Sequence, residues 1–157
     1  MWNFFSSREI LTDGVIDLRP FRGYLPLESL RFGKMHDYRI TLHGKRFEIG
    51  QISVRLGEST GIYYFGHIGY HIDPPYRGHH YARRACLLLK KEIRLGGKNS
   101  VVITCDPDNQ PSRKTCEALQ CCWEGITSVP EDIRKKYEIS AEKCRYIWMI
   151  PAEQDER

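Results

Sequence analysis

IGYHIDPPYRGHHYARRACLLL, residues 68–89, divides into the end of a strand, a tight turn and a helix. The strand begins upstream at Ile62 and ends at Ile72, because Asp73-Pro74-Pro75 follows and consecutive prolines supply no N–H donors. Arg77 and Gly78 lead into a helix whose apolar face is Tyr81, Ala82, Ala85, Leu88, Leu89 and Ile93, spaced at i, i+3 and i+4. A helix entered through a glycine with arginines beside it suits an anion, because its first N–H groups lack intrahelical partners and the macrodipole is positive there. A pyrophosphate is the anion this pattern suggests.

Working outward, Gly14 to Phe21 alternates as a first strand that Pro20 ends or marks as an edge. Pro26 to Phe32 allows two helical turns. Met35 to His43 and Arg46 to Leu56 alternate as a hairpin around Gly44-Lys45, and Gly57 to Gly61 turns the chain into the third meander strand, Ile62 to Ile72. Downstream, Gly96-Gly97 closes the helix, and Ser100 to Cys105 is an almost unbroken β-branched run, the pattern of a strand buried on both faces. Strand, helix and strand in succession predict a right-handed crossover with the two strands parallel. Pro111 is placed for the first position of a second helix, which runs to about Leu119. A strand over Cys122 to Ser128, a short helix in Pro130 to Glu138, a last strand Cys144 to Ile150 and a frayed tail from Ala152 complete the chain.

The 157 residues suffice for one domain, with its core over about 14–150, and are too few for two ordinary ones. Hydrophobic residues make up 41% and charged residues 28%, a composition that folds. The stretch Ser59 to Ile72, free of Asp, Glu, Lys and Arg, is too short and glycine-rich to span a bilayer, and MWNFFSSRE has no signal-like basic and apolar regions. The expected location is the cytoplasm, with no membrane partner. A net charge of +4 scattered among 20 acids describes a solvated surface with one local basic site better than a nucleic-acid face. The cysteines, Cys86, Cys105, Cys116, Cys121, Cys122 and Cys144, match no zinc spacing, so free thiols and no metal are expected.

Arg77-Gly78-His79-His80-Tyr81-Ala82 resembles the R/Q-x-x-G-x-G/A loop of the GNAT superfamily of acyl-CoA-dependent N-acetyltransferases, with His80 in place of the middle glycine. Asn109-Gln110-Pro111-Ser112 with Glu117-Ala118-Leu119 resembles the family's N-x-x-S…E-x-L-G-F helix. The cast is most similar to the branch with the ribosomal-protein N-terminal acetyltransferases. The resemblance implies an α+β fold with a mostly antiparallel central sheet, a splayed parallel fourth and fifth strand pair, and flanking helices. It also implies acetyl-CoA as the acyl donor. The pantetheine arm would lie in the splay on main-chain atoms of Tyr70, His71 and Ile72, and the pyrophosphate on the loop Arg77, Gly78, His79, His80, Tyr81 and Ala82. Asn109, which also reads as an Asx turn capping the next helix, would bond the pantetheine amide. Arg83, Arg84, Arg113 and Lys114 read either as phosphate contacts or as surface charges.

Acyl transfer to an amine requires a neutral acceptor nitrogen, a polarised thioester carbonyl and a protonated or stabilised leaving thiolate. The resemblance implies a main-chain N–H between Tyr70 and Ile72 as oxyanion donor. The family's tyrosine acid, seven residues after the asparagine, is Cys116 here, and its strand glutamate, eleven residues before Arg77, is Gly66. Cys116 and the Ser112 hydroxyl are the candidate acids, and Cys116 also reads as a packed core residue. His67, with an ordinary pKa of about 6.5, is the candidate base, and it also reads as a structural histidine. Deprotonation through water is the remaining route.

The acceptor implied is a small-molecule amine or a peptide N-terminus. The family builds its acceptor floor between the first two strands, where only Gly23 to Lys34 is available. That implies a shallow site, or one completed by a second copy in a homodimer, with Tyr137, Tyr146 and Trp148 as candidate lining. Two other functions compete: a non-catalytic CoA-binding sensor, and a basic nucleic-acid-binding domain centred on Arg77 to Arg94.

Overall fold

A computed structural model describes residues 9–21 and 35–153. Two antiparallel sheets form its frame. The first has the order β1-β2-β3-β4-β5, with β1 at Leu11–Thr12, β2 at Ile16–Phe21, β3 at Met35–Leu42, β4 at Gly50–Arg55 and β5 at Ile68–Ile72. The second has the order β6-β8-β7, with β6 at Ser100–Cys105, β7 at Cys122–Ser128 and β8 at Glu142–Met149. Five helices accompany them among the described residues: α1 Thr60–Phe65, α2 Tyr81–Leu88, α3 Lys90–Leu95, α4 Gln110–Ala118 and α5 Glu131–Tyr137.

Alternation decides which sheet faces are inside. Ile16, Leu18, Tyr38, Ile40, Ile52, Val54 and Ile68 turn one face of the first sheet toward Ala85, Cys86, Leu89 and Ile93 of the helical segment. Val101, Ile103, Cys105, Cys144, Tyr146 and Trp148 add the inner face of the second sheet to the same cluster. Burying side chains of this size contributes about 1.5–3 kcal/mol each. Tyr146 and Trp148 are therefore core rather than acceptor lining, while Tyr137 packs edge-on against Phe65 with ring centroids 5.3 Å apart.

The expected strand Ile62 to Ile72 is corrected at its upstream half, where residues 60–65 form α1. The Ser59 side chain accepts the Ile62 N–H and caps the helix, and Gly66, at φ 79°, ends it before β5 starts. These local capping bonds override the strand preference of Tyr63, Tyr64 and Phe65. The central helix is likewise two segments: the Leu89 N–H bonds the Cys86 carbonyl three residues back, tightening the turn between α2 and α3. Gly97, at φ 84°, closes α3.

Three further expectations change. The partner of β3 is confined to Gly50–Arg55, and β6 is half-covered, with Val101, Ile103 and Cys105 inward. Pro20 lies inside β2 opposite Tyr38, beyond the reach of the short β1, so its missing N–H breaks no ladder bond. The helix expected at Pro26 to Phe32, and the tail beyond Glu153, lie outside the described residues.

Every ladder among the described residues is antiparallel, and the parallel pairing expected of β5 and β6 is not seen as one. The two sheets meet instead at an isolated bridge between Gly66 and Ile103, next to a bond from the His67 N–H to the Val102 carbonyl. Beyond it β5 is an edge strand, and α4 stands across from it. No helix among the described residues is long and apolar enough to cross a membrane.

Candidate functional site

A cavity of about 610 Å³ opens along the edge of β5 that faces away from β4. It is lined by Tyr70, His71 and Ile72 of β5, by the loop and first turn of α2, and by one side of α4 including Asn109, Ser112 and Lys114. Of the cofactor residues expected from sequence, all but His79 line it. His79 is exposed and stacks on Tyr81, centroids 5.3 Å apart.

The register fixes which main-chain groups of β5 face the opening. Arg55 N–H donates to the His67 carbonyl at 2.7 Å, and Asp73 N–H to the Ile49 carbonyl at 2.8 Å. With the antiparallel pairing between these bonds, alternation turns the groups of Gly69 and His71 toward β4 and those of Ile68, Tyr70 and Ile72 toward the open edge. His71 is corrected accordingly: its main-chain groups are committed to β4. The Ile72 carbonyl accepts Arg77 Nε at 2.8 Å, which ties the loop to the strand edge.

At the other end, Pro74–Tyr76 makes one 3₁₀ turn and Gly78 takes φ 89°, with nothing within 4 Å of where a Cβ would stand. Conformation, not crowding, makes this position a glycine. His80, where the family motif has glycine, adopts the left-handed conformation itself, φ 61° and ψ 25°, and leads directly into α2. The first intrahelical bond runs from Arg84 N–H to the His80 carbonyl, so the N–H groups of Tyr81, Ala82 and Arg83 precede the ladder. Arg83 and Lys114 line the cavity from facing helices. Arg84 pairs with Asp13 at 2.9 Å, and Arg113 donates to the Tyr146 hydroxyl and the Pro107 carbonyl, so these two serve the frame.

Asn109 caps α4, its side-chain oxygen accepting the Ser112 N–H at 3.2 Å, which leaves its NH₂ as donor. Buried Ser112 is bonded through Oγ to the Tyr70 hydroxyl at 2.8 Å, and that bond spans the cavity from β5 to α4. Burial pushes the Tyr70 phenol well above its usual range, with Cys86 and Cys116 nearby adding to it. Tyr70 therefore stays protonated. Its side-chain role escaped the sequence reading, although its alternation with Ile68 and Ile72 already put it on the inward face.

The other two candidate catalytic side chains stand outside the cavity. Cys116 is fully buried on the inner side of α4, and a hydrogen bond with Cys121, together with burial, pushes its thiol far up. His67 is 5% exposed and both ring nitrogens are engaged: Val102 N–H donates to Nδ1 at 2.9 Å, and Nε2 lies 2.8 Å from Glu58 Oε1. An Nδ1 that accepts fixes the proton on Nε2, so the neutral ring has no free lone pair with which to take another. Burial, first, lowers the His67 pKa against the opposing influence of Glu58.

A family model described as an acetyltransferase (GNAT) domain matches residues 17–121, more than half of the chain. The chain belongs to the GNAT acetyltransferase family. No curated protein is similar enough in sequence to match. Solved GNAT structures share its fold at low identity. The ribosomal-protein-S5-alanine acetyltransferase of Vibrio fischeri superposes with a TM-score of 0.66 at 13% identity, over 91% of this chain and 97% of that one. The Salmonella typhimurium acetyltransferase that modifies the N-terminal serine of ribosomal protein L7/L12 gives 0.66 at 18%, over 91% and 100%. Mycobacterium smegmatis RimJ, solved in complex with CoA-disulfide, gives 0.64 at 17%, over 95% and 88%. These likenesses establish the GNAT fold around the cavity, and the family supports acetyl transfer as its chemistry.

Proposed function

We propose that this GNAT domain transfers an acetyl group from acetyl-CoA to the primary amine of a peptide N-terminus or a small molecule. The observation that carries the reading is the cavity itself: an open strand edge on one wall, α4 on the other, and free helix-start N–H groups at its end. The pantetheine arm lies along that edge, using Tyr70 and Ile72 main-chain groups, in a splay between β5 and β6 that corresponds to the family's parallel pair. Asn109 donates its NH₂ to a pantetheine carbonyl. The N–H groups from Gly78 to Ala82 receive the pyrophosphate, and Arg77, Arg83 and Lys114 supply positive charge.

Ser112 is the acid. In this reading the protonated Tyr70 is the donor in its bond with Ser112 Oγ, and the serine hydrogen swings from the neighbouring Cys105 thiol to the departing CoA sulfur. A main-chain N–H at Ile68, Tyr70 or Ile72 polarises the thioester carbonyl. The acceptor amine loses its proton to water. The ribosomal-protein acetyltransferases that share the fold support a peptide acceptor, and RimJ, solved with CoA-disulfide, supports a CoA donor.

A non-catalytic CoA-binding module is the second reading, favoured by the core position of Cys116 and the occupied ring of His67. Acetyl-CoA at a hundred times its dissociation constant is expected to stabilise the domain by about 2.7 kcal/mol. For this size that raises the melting temperature by roughly 5–11 °C. No shift at millimolar acetyl-CoA refutes both readings. Thiol release with N-terminal peptides and small amines then separates them, a binder without turnover being the module.

A further inference from the structure

We propose that His67 is a positioning residue, a clasp that holds the two sheets together at the point where the acyl-CoA cavity begins. This rests on the CoA-binding reading of that cavity. His67 and Val102 exchange two bonds: the His67 N–H donates to the Val102 carbonyl at 2.7 Å, and the Val102 N–H donates to the His67 ring at 2.9 Å. An ordinary ladder meets a main-chain donor with a main-chain acceptor. Here the imidazole takes the acceptor's place, so the sheets join at Gly66 and His67 and separate immediately after them.

The surroundings hold the ring in this role. Gly66 approaches so closely that a Cβ would stand 2.8 Å from the Val102 carbonyl oxygen and 3.0 Å from the Thr104 nitrogen. Glu58 accepts from Nε2 and is itself bound by Lys98 Nζ at 2.5 Å, so a chain of charge runs from Lys98 through Glu58 to the ring. The Arg55 guanidinium donates to the Gly66 carbonyl at 3.0 Å and secures the residue before the clasp. Three residues beyond His67, Tyr70 turns both its main-chain groups and its side chain to the cavity. Displacing the clasp shifts the edge on which the pantetheine arm lies.

Two substitutions separate this role from proton transfer. Asn carries Oδ1 at the same number of bonds from Cα as histidine Nδ1, so His67→Asn retains an acceptor for the Val102 N–H. His67→Gln places its amide where Nε2 stood and abandons that N–H. The expected result is that His67→Gln speeds hydrogen exchange at Val102 about a hundredfold and weakens acetyl-CoA binding about tenfold, whereas His67→Asn stays within about twofold of the wild type in both. Nitrogen NMR of the unsubstituted protein provides a reading without any variant: a neutral ring protonated at Nε2 at pH 7. Val102 protection and acetyl-CoA affinity unchanged in His67→Gln, or a cationic ring at pH 7, overturns the clasp. Equal losses of kcat in both variants at unchanged acetyl-CoA affinity also overturn it, and make His67 the base. If Val102 responds as expected but the wild type binds no acetyl-CoA, the clasp stands and the cofactor reading falls.

Discussion

At the scale of single residues, the proposed chemistry rests on Ser112 and Tyr70, whose hydroxyls are bonded to each other. Ser112→Ala removes a hydroxyl that lines the cavity, and a proton donor contributes roughly 10²–10⁴ in rate, so kcat is expected to fall at least tenfold with the KM for acetyl-CoA nearly constant. Tyr70→Phe keeps the ring and loses the 2.8 Å bond, and is expected to share part of that loss. Cys116→Ala should cost about 1 kcal/mol of stability and leave kcat intact, since its thiol is sealed in the core beside Cys121. Steady-state kinetics with acetyl-CoA as the varied substrate checks all three. The serine was legible in the sequence as part of N-x-x-S, but the tyrosine hydroxyl was not. Its partner lies 42 positions away, and no local pattern brings them together.

At the scale of elements, the turns that frame the cavity are set by backbone conformation. His80 holds a left-handed conformation that costs an ordinary residue about 1–2 kcal/mol, so His80→Gly is expected to raise stability by about 1 kcal/mol, read as a higher denaturant midpoint with unchanged slope. The opposite holds at Gly66, where a positive φ coincides with two main-chain atoms within 3.0 Å of a would-be Cβ. Gly66→Ala is expected to destabilise the domain by 2 kcal/mol or more and to weaken acetyl-CoA binding, because neither Val102 nor Thr104 can move without separating the sheets. Chemical denaturation with and without acetyl-CoA measures both effects. The two elements differ in legibility. The 3.6-residue period and the glycine before it announced α2 and its loop, whereas α1 sits in an aromatic run with strand preference and is settled by one serine cap and one glycine.

At the scale of the whole molecule, pH acts on the joints between elements. Burial opposes ionisation of Asp17, but bonds from His43, Thr12 and Gly44 outweigh it and hold its pKa at about 2. A depressed carboxylate contributes stability that is present above its ordinary pKa of 3.8 and is lost as pH falls toward 2, here at most about 2 kcal/mol. His67 acts at higher pH. Facing Glu58, Lys98 and Arg55, its folded pKa lies below 6.5, so the unfolded chain takes up a proton first and stability declines as pH falls from 6.5 toward the folded value. Two successive losses are expected in melting temperature against pH, with His67→Asn removing only the upper one.

Amino-acid order by itself determined the family, the alternation of β2, β3 and β4, the start of α4 at Asn109-Gln110-Pro111, and the glycine-and-arginine entry to α2. Each is written within about a dozen consecutive residues, where periodicity, caps and missing N–H groups act. Only the tertiary structure decided that Cys116 is core, that His67 is bound on both nitrogens, and that Tyr70 reaches Ser112. It alone decided that His71 spends its main-chain groups on β4, that the Ile72 carbonyl ties down Arg77, and that the Tyr70 main-chain groups face the open edge. A side chain's neighbours across a sheet, and the edge on which a ladder stops, depend on register between distant segments. Burial and hydrogen bonding at those contacts then govern which groups are free to react.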